Sequence, residues 1–124
     1  MANVITTFDG ERAVRVILTS VSDGTNEESV KVDVSALANS PKRVRIASIK
    51  YDVSGMGVRL QWQANENIDA FILGNGNSQY FDFRNFGGIR NFAGEGVTGN
   101  ILLSTIDAVA GATYSIVLEL EYDE

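Results

Sequence analysis

Residues 111–122 read GATYSIVLELEY, so Tyr114, Ile116, Leu118, Leu120 and Tyr122 occupy every second position, with Ser115, Val117, Glu119 and Glu121 between them. Successive side chains of an extended chain point to opposite faces, so this spacing buries one face and wets the other. The same alternation recurs along the chain. Val14, Val16 and Leu18 alternate with Arg15, Ile17 and Thr19; Val30, Val32 and Val34 with Lys31 and Asp33; Ile49, Tyr51 and Val53 with Lys50 and Asp52; and Val58, Leu60 and Trp62 with Arg59, Gln61 and Gln63. Further strand-like runs cover residues 43–46, 70–73, 79–83 and 100–106. Antiparallel sheets with one solvated face carry this pattern.

The runs are separated by turn signals at the spacing of a sandwich or barrel. Asp23-Gly24 and Asn75-Gly76 favour positive φ, which glycine adopts without steric cost. Ser54-Gly55-Met56-Gly57 reads as a hairpin loop, and Ala110-Gly111-Ala112 separates the last two strands. Apolar residues at three-to-four spacing over several turns are missing, and the best helical candidate is a single turn within residues 34–39, ahead of Pro41. The expected fold is all-β: one domain, residues 1–124, forming an antiparallel β-sandwich of about eight strands, with the jelly roll among its candidate topologies.

Composition narrows the chemistry. With 124 residues, 44% of them hydrophobic, the chain can build a core without staples. It contains neither Cys nor His. Disulfides, thiolate nucleophiles, Ser-His-Asp triads and zinc sites built on these residues are therefore closed to it. The lack of Cys fits synthesis in a reducing cytoplasm. The N-terminal residues Met1-Ala2-Asn3-Val4-Ile5 lack a basic and an apolar signal region, and no apolar run approaches a membrane span. The net charge of −6 disfavours nucleic acid. Residues 1–65 carry 8 basic against 7 acidic side chains, and residues 66–124 carry 2 against 9. That asymmetry suits orientation on a charged partner or a merely solvated face.

Several constellations invite a functional reading, each beside a plainer one. Residues 84–99 read RNFGGIRNFAGEGVTG. They lack the Gly-Lys-Ser/Thr ending of a phosphate loop. They hold Phe86, Ile89 and Phe92 among five glycines, either as a contact loop or as a cap folded over the end of the sandwich. Asp23-Gly24-Thr25-Asn26-Glu27-Glu28 gathers oxygen ligands without the spacing of a calcium loop, and a solvated turn is the plainer reading. Pro41-Lys42-Arg43-Val44-Arg45 with Lys50 is the densest basic patch; Arg43 and Arg45 share a face and suit carboxylates on a protein partner. Glu119 and Glu121 share a face of the last strand, where an acidic edge that resists aggregation is a better account than a glycosidase pair. Trp62, Tyr80, Phe81 and Phe83 suggest a sugar platform, although Trp62 follows the core alternation.

Residues 22–37 (SDGTNEESVKVDVSAL), 49–64 (IKYDVSGMGVRLQWQA), 81–105 (FDFRNFGGIRNFAGEGVTGNILLST) and 111–122 together resemble a group of small virion structural proteins of marine tailed phages, including cyanophages. The resemblance is carried by Asp52-Val53-Ser54-Gly55-Met56, by Asp82-Phe83-Arg84-Asn85-Phe86-Gly87-Gly88 and by Gly96-Val97-Thr98-Gly99. It implies a virion component without catalytic residues, cofactor or metal: by size and fold a capsid decoration or cement protein, made in the host cytoplasm and seated on the outer capsid surface. The implied partner is the major capsid protein; equivalent lattice positions favour further copies of the chain, as a dimer or trimer, and charge and hydropathy leave no nucleic acid and no membrane among the expected partners. The expected anchors are Arg84, Phe86, Ile89, Arg90 and Phe92, with Arg43 and Arg45 second. A tail or head-fibre accessory protein and a carbohydrate-binding module are the alternatives.

Overall fold

The computed structural model describes residues 2–10, 12–37 and 43–123. Among the described residues nine strands follow in chain order: β1 (Ala2–Asp9), β2 (Ala13–Asp23), β3 (Glu28–Val32), β4 (Arg43–Ser54), β5 (Gly57–Trp62), β6 (Ile68–Leu73), β7 (Gly76–Asp82), β8 (Ile101–Ile106) and β9 (Ala110–Asp123). They form two antiparallel sheets, one ordered β1-β2-β9-β4-β7 and the other β3-β8-β5-β6. The fold is therefore an all-β sandwich, as the alternation predicts. Its pairing is nested. β2 pairs with β9, β3 with β8, β4 with β7 and β5 with β6, as in one long hairpin ribbon. The β4–β9 and β5–β8 ladders then close the rolled ribbon into two sheets. This is the strand order of a jelly roll, with β1 added outside β2.

The inward rows supply the core. Val14, Val16 and Leu18 of β2 pack with Ile116, Leu118 and Leu120 of β9 and with Val58, Leu60 and Trp62 of β5, all buried. Two β-bulges account for breaks in the alternation. Between Ile46 and Ser48 the register with β9 shifts, so Val44 and Ile46 point inward before the shift and Ile49, Tyr51 and Val53 after it. The runs at 43–46 and 49–53 are out of phase in the sequence yet belong to one strand. A second bulge lies between Val30 and Val32. The expectation that Val30 shares the inner face with Val32 fails: Val30 is exposed and Lys31 is buried.

Other departures concern connections. The loop at residues 54–57 is not a hairpin. β4 and β5 lie in different sheets, and Gly55, at φ +79°, turns an arch between them. Residues 110–112 belong to β9, and the turn before it is set by Asp107 at φ +53°. Gly24 takes positive φ as expected, whereas Asn75 and Gly76 do not. The anticipated helical turn is a 3-10 turn over Val34–Ala36, capped by the Asp33 carboxylate accepting from the Ser35 N–H. Residues 38–42, which include Pro41 and Lys42, lie outside the described residues.

The β2–β3, β4–β5, β6–β7 and β8–β9 turns gather at one pole. There Asn26 accepts from the Ala108 N–H and Asn75 from the Gly55 N–H. The opposite pole holds the β5–β6 turn and the long β7–β8 connection. Asn65 N–H donates to the Glu95 carbonyl, and Gln63 N–H to that of Asn100. This second pole carries the residues singled out as candidate anchors at 84–92.

Candidate interaction surface

The β7–β8 connection is an irregular segment pinned at short intervals. A 3-10 turn at Arg84–Phe86 opens it and ends at Gly87, in the left-handed region. Phe83 N–H then donates to the Ala47 carbonyl, and Gly88 N–H to that of Phe83. Ile89 forms an antiparallel bridge with Ile46 through both backbone hydrogen bonds, at 2.8 and 2.9 Å. Gly88 is required for that approach. It sits at φ +81°, and a Cβ there would lie 2.9 Å from the Ile46 carbonyl oxygen.

Beyond the bridge burial alternates along the chain. Ile89 packs on the core, Arg90 is exposed, Asn91 is buried, Phe92 is exposed and Ala93 is buried. Asn91 accepts from the Ala93 N–H at 2.9 Å, while its Nδ2 has no protein partner. Fixing the odd-numbered side chains inward forces the even-numbered ones outward. Phe92 is 80% exposed, and Phe86, on the 3-10 turn, is 87% exposed. These two aromatics do not fold back to cap the sandwich. Ile89, expected beside them at the interface, turns inward and does the capping instead.

The foot of the connection joins an ion network on the outer face of the five-stranded sheet. Arg84 reaches Asp82 and Glu119, each at 3.4 Å. Glu119 also receives Arg15 at 3.1 Å and the Ser48 hydroxyl at 2.9 Å. Arg45 pairs with Glu121 at 3.4 Å, and Arg43 on the same strand is exposed. Glu119 and Glu121 are therefore not an acidic edge: β9 runs through the middle of its sheet, and both carboxylates meet arginines. Phe8, Gly10, Arg15, Arg84, Glu119 and Glu121 line an open groove of about 640 Å³ over this network. The Ser48 hydroxyl, with Arg15 and Arg84, holds the Glu119 carboxyl below its ordinary value of 4.5 against a smaller opposing effect of burial. A depressed carboxylate pKa adds stability above that ordinary value, and the contribution is lost as pH falls through the folded value. Glu119→Gln is expected to cost about 0.5–1 kcal/mol at pH 7, a range set by its solvent exposure, and to make the acid limb of a urea-denaturation profile shallower.

A second polar cluster lies inside the sandwich. Because of the β3 bulge, Lys31 points inward and its Nζ lies 2.5 Å from Glu27 Oε2. Ser29 and Tyr114 hydroxyls donate to the same carboxylate, each at 2.8 Å. Glu27, expected among the ligands of a solvated turn, is instead a buried tie between the sheets, since Lys31 belongs to one and Tyr114 to the other. Among the described residues no group of carboxylates gathers for a metal ion.

The sugar platform is not assembled. Trp62 is 2% exposed within the core. Phe71, Phe81 and Phe83 contact one another, with centroids 5.5–6.4 Å apart, and Tyr51 stacks on Phe81 at 6.3 Å. These rings pack together along the open side of the sandwich between β6 and β7, with Phe71 and Phe83 partly buried and Phe81 still exposed. Compared with protein-family models, with curated proteins and with solved structures, the chain matches none.

Proposed function

We propose that this protein is an adhesive structural component of a tailed-phage particle, a decoration protein that binds the outer face of the head and stabilises the shell. One observation carries the reading: Phe86 and Phe92 stand almost wholly in solvent on a connection whose intervening residues are anchored to the body. Exposed large aromatics held in place by backbone hydrogen bonds are costly for a free molecule and favourable for one that docks, because less ordering remains to be done on binding. Aromatic and arginine side chains are enriched where protein partners meet, and Arg90 lies between the two rings in sequence. The absence of His and Cys points the same way, to adhesion rather than bond breaking. The resemblance of residues 22–37, 49–64, 81–105 and 111–122 to phage virion proteins supplies the particle and the major capsid protein as partner, with self-association into a dimer or trimer.

Electron cryomicroscopy of the particle, with copy number measured by quantitative proteomics, tests the proposal. Hundreds of copies on the head surface, with residues 84–92 against the major capsid protein, are expected. About a dozen copies confined to the tail would transfer the protein to the tail or fibre reading, and its absence from the particle would end both.

A further inference from the structure

A two-layer sandwich has four open strand edges, here β1 and β7 in one sheet and β3 and β6 in the other. Open edges present unpaired N–H and C=O groups and recruit other strands unless something blocks them. Three of the four are blocked. β3 has five residues, is bulged between Val30 and Val32, and carries Glu28 and Lys31. β6 has a register break opposite Leu60 and Gln61, and its Asp69 pairs with Arg59 at 3.2 Å. β7 loses register opposite Tyr51 and Val53, and Ser78 sits at φ +51°.

β1 has none of these devices. Its eight residues pair with β2 in unbroken register from Ala2↔Val21 to Asp9↔Val14. The stretch ANVITTF has no charged side chain, no proline and no glycine; the first charged side chain is Asp9. In an antiparallel pair alternate residues turn both backbone groups to the partner, so the remaining residues of β1 turn theirs away from β2. Ile5 faces Leu18 in the register, yet it is 47% exposed while Leu18 is fully buried. β1 therefore overhangs the sandwich and leaves an apolar side chain uncovered.

We propose that the free edge of β1 is a self-association surface whose occupant is β1 of a second copy, paired antiparallel across a two-fold axis. Self-complementarity selects the second copy. A pairing centred on Ile5 sets Ile5 opposite Ile5, Thr6 opposite Val4, Thr7 opposite Asn3 and Phe8 opposite Ala2, and no charge meets a like charge. A chain of net charge −6 repels its copies on average, and this neutral edge is where backbone groups and uncovered apolar surface meet without that cost. The two five-stranded sheets become one continuous ten-stranded sheet. The inference supplies the surface for the self-association in the functional reading above, and its test needs no particle, so either can fail without the other.

Sedimentation velocity of the full chain over a concentration series reads the outcome. The wild type is expected to shift from monomer to dimer as concentration rises. Ile5→Lys and Ile5→Glu, each folded by circular dichroism because Ile5 is half exposed, are expected to associate at least tenfold more weakly alone. Mixed together they should regain the dimer, since opposite charges then face each other across the axis. Amide exchange on the wild type gives an independent reading: protection in β1 should rise with concentration and stay constant elsewhere. A wild type that stays monomeric to about 1 mM, where even millimolar association registers, would overturn the proposal. So would a trimer, a dimer unchanged in both charge variants, or β1 protection independent of concentration.

Discussion

On the capsid-binding role proposed above, replacing Phe86 and Phe92 together by alanine is expected to weaken attachment to the phage head by two to three orders of magnitude while leaving the fold intact. Aromatic anchors at interfaces commonly cost about 1.5–2 kcal/mol each on truncation, so the pair represents about 3–4 kcal/mol. Neither ring contributes to the core, so the change in unfolding free energy should stay within about 0.5 kcal/mol. The check is a binding titration against heads stripped of the protein, beside a urea melt of each variant. Undiminished binding by a folded double variant would remove residues 84–92 from the interface. The large size of the effect follows from preorganisation. The Ile46–Ile89 bridge, buried Asn91 and buried Ala93 hold the connection before any partner arrives, so the contact energy of the rings is not spent on ordering it.

Lys31→Met is expected to cost about 3–5 kcal/mol, a large fraction of the 5–15 kcal/mol that holds a domain of this kind together. The side chain itself can be replaced in volume. The loss comes from Glu27, left charged inside the sandwich without the Lys31 ammonium while the Ser29 and Tyr114 hydroxyls still donate to it. The double variant Glu27→Gln, Lys31→Met should recover much of the loss, because both charges are then gone, and urea midpoints across the four-membered cycle measure the coupling. The cluster also sets two pH limits. Burial pushes the Glu27 carboxyl up, but hydrogen bonds from Lys31, Ser29 and Tyr114 outweigh it, and the net direction is down from 4.5. Its contribution is therefore present above that value and lost as pH falls through the folded one. Burial and the neighbouring Glu27 carboxylate push Tyr114 well above its ordinary value of 10.0. That contribution is full below pH 10 and lost as pH rises further, since a phenolate would face a carboxylate. Stability should fall off at both ends, and Tyr114→Phe should remove the alkaline limb.

Much of the fold is legible in single strands. The rows of β2, β5 and β9 alternate as the sequence predicts, because both faces of a regular strand are encoded by period two. β1 carries a weak signal: Val4-Ile5-Thr6-Thr7 has the β-branched composition of a strand but no apolar alternation, and its partner surface is a strand edge rather than a core. The alternation places Lys31 on the wet face, because a bulge leaves no mark in the spacing of its neighbours. The candidate loop was visible through Phe86 and Phe92 among glycines, but their outward direction depends on the Ile46–Ile89 bridge, between residues far apart in the chain.

An all-β domain with a core drawn from every second residue, and without means for histidine or cysteine chemistry, follows from local spacing and composition alone. Strand neighbours, the loops that share a pole, and the outward direction of Phe86 and Phe92 beside a partly buried Ile89 come only from long-range packing. The reason is physical. Most consecutive strands lie in opposite sheets, so pairing is settled by long-range ladders such as β2 with β9, whose free energy depends on residues about a hundred positions apart and leaves no local trace.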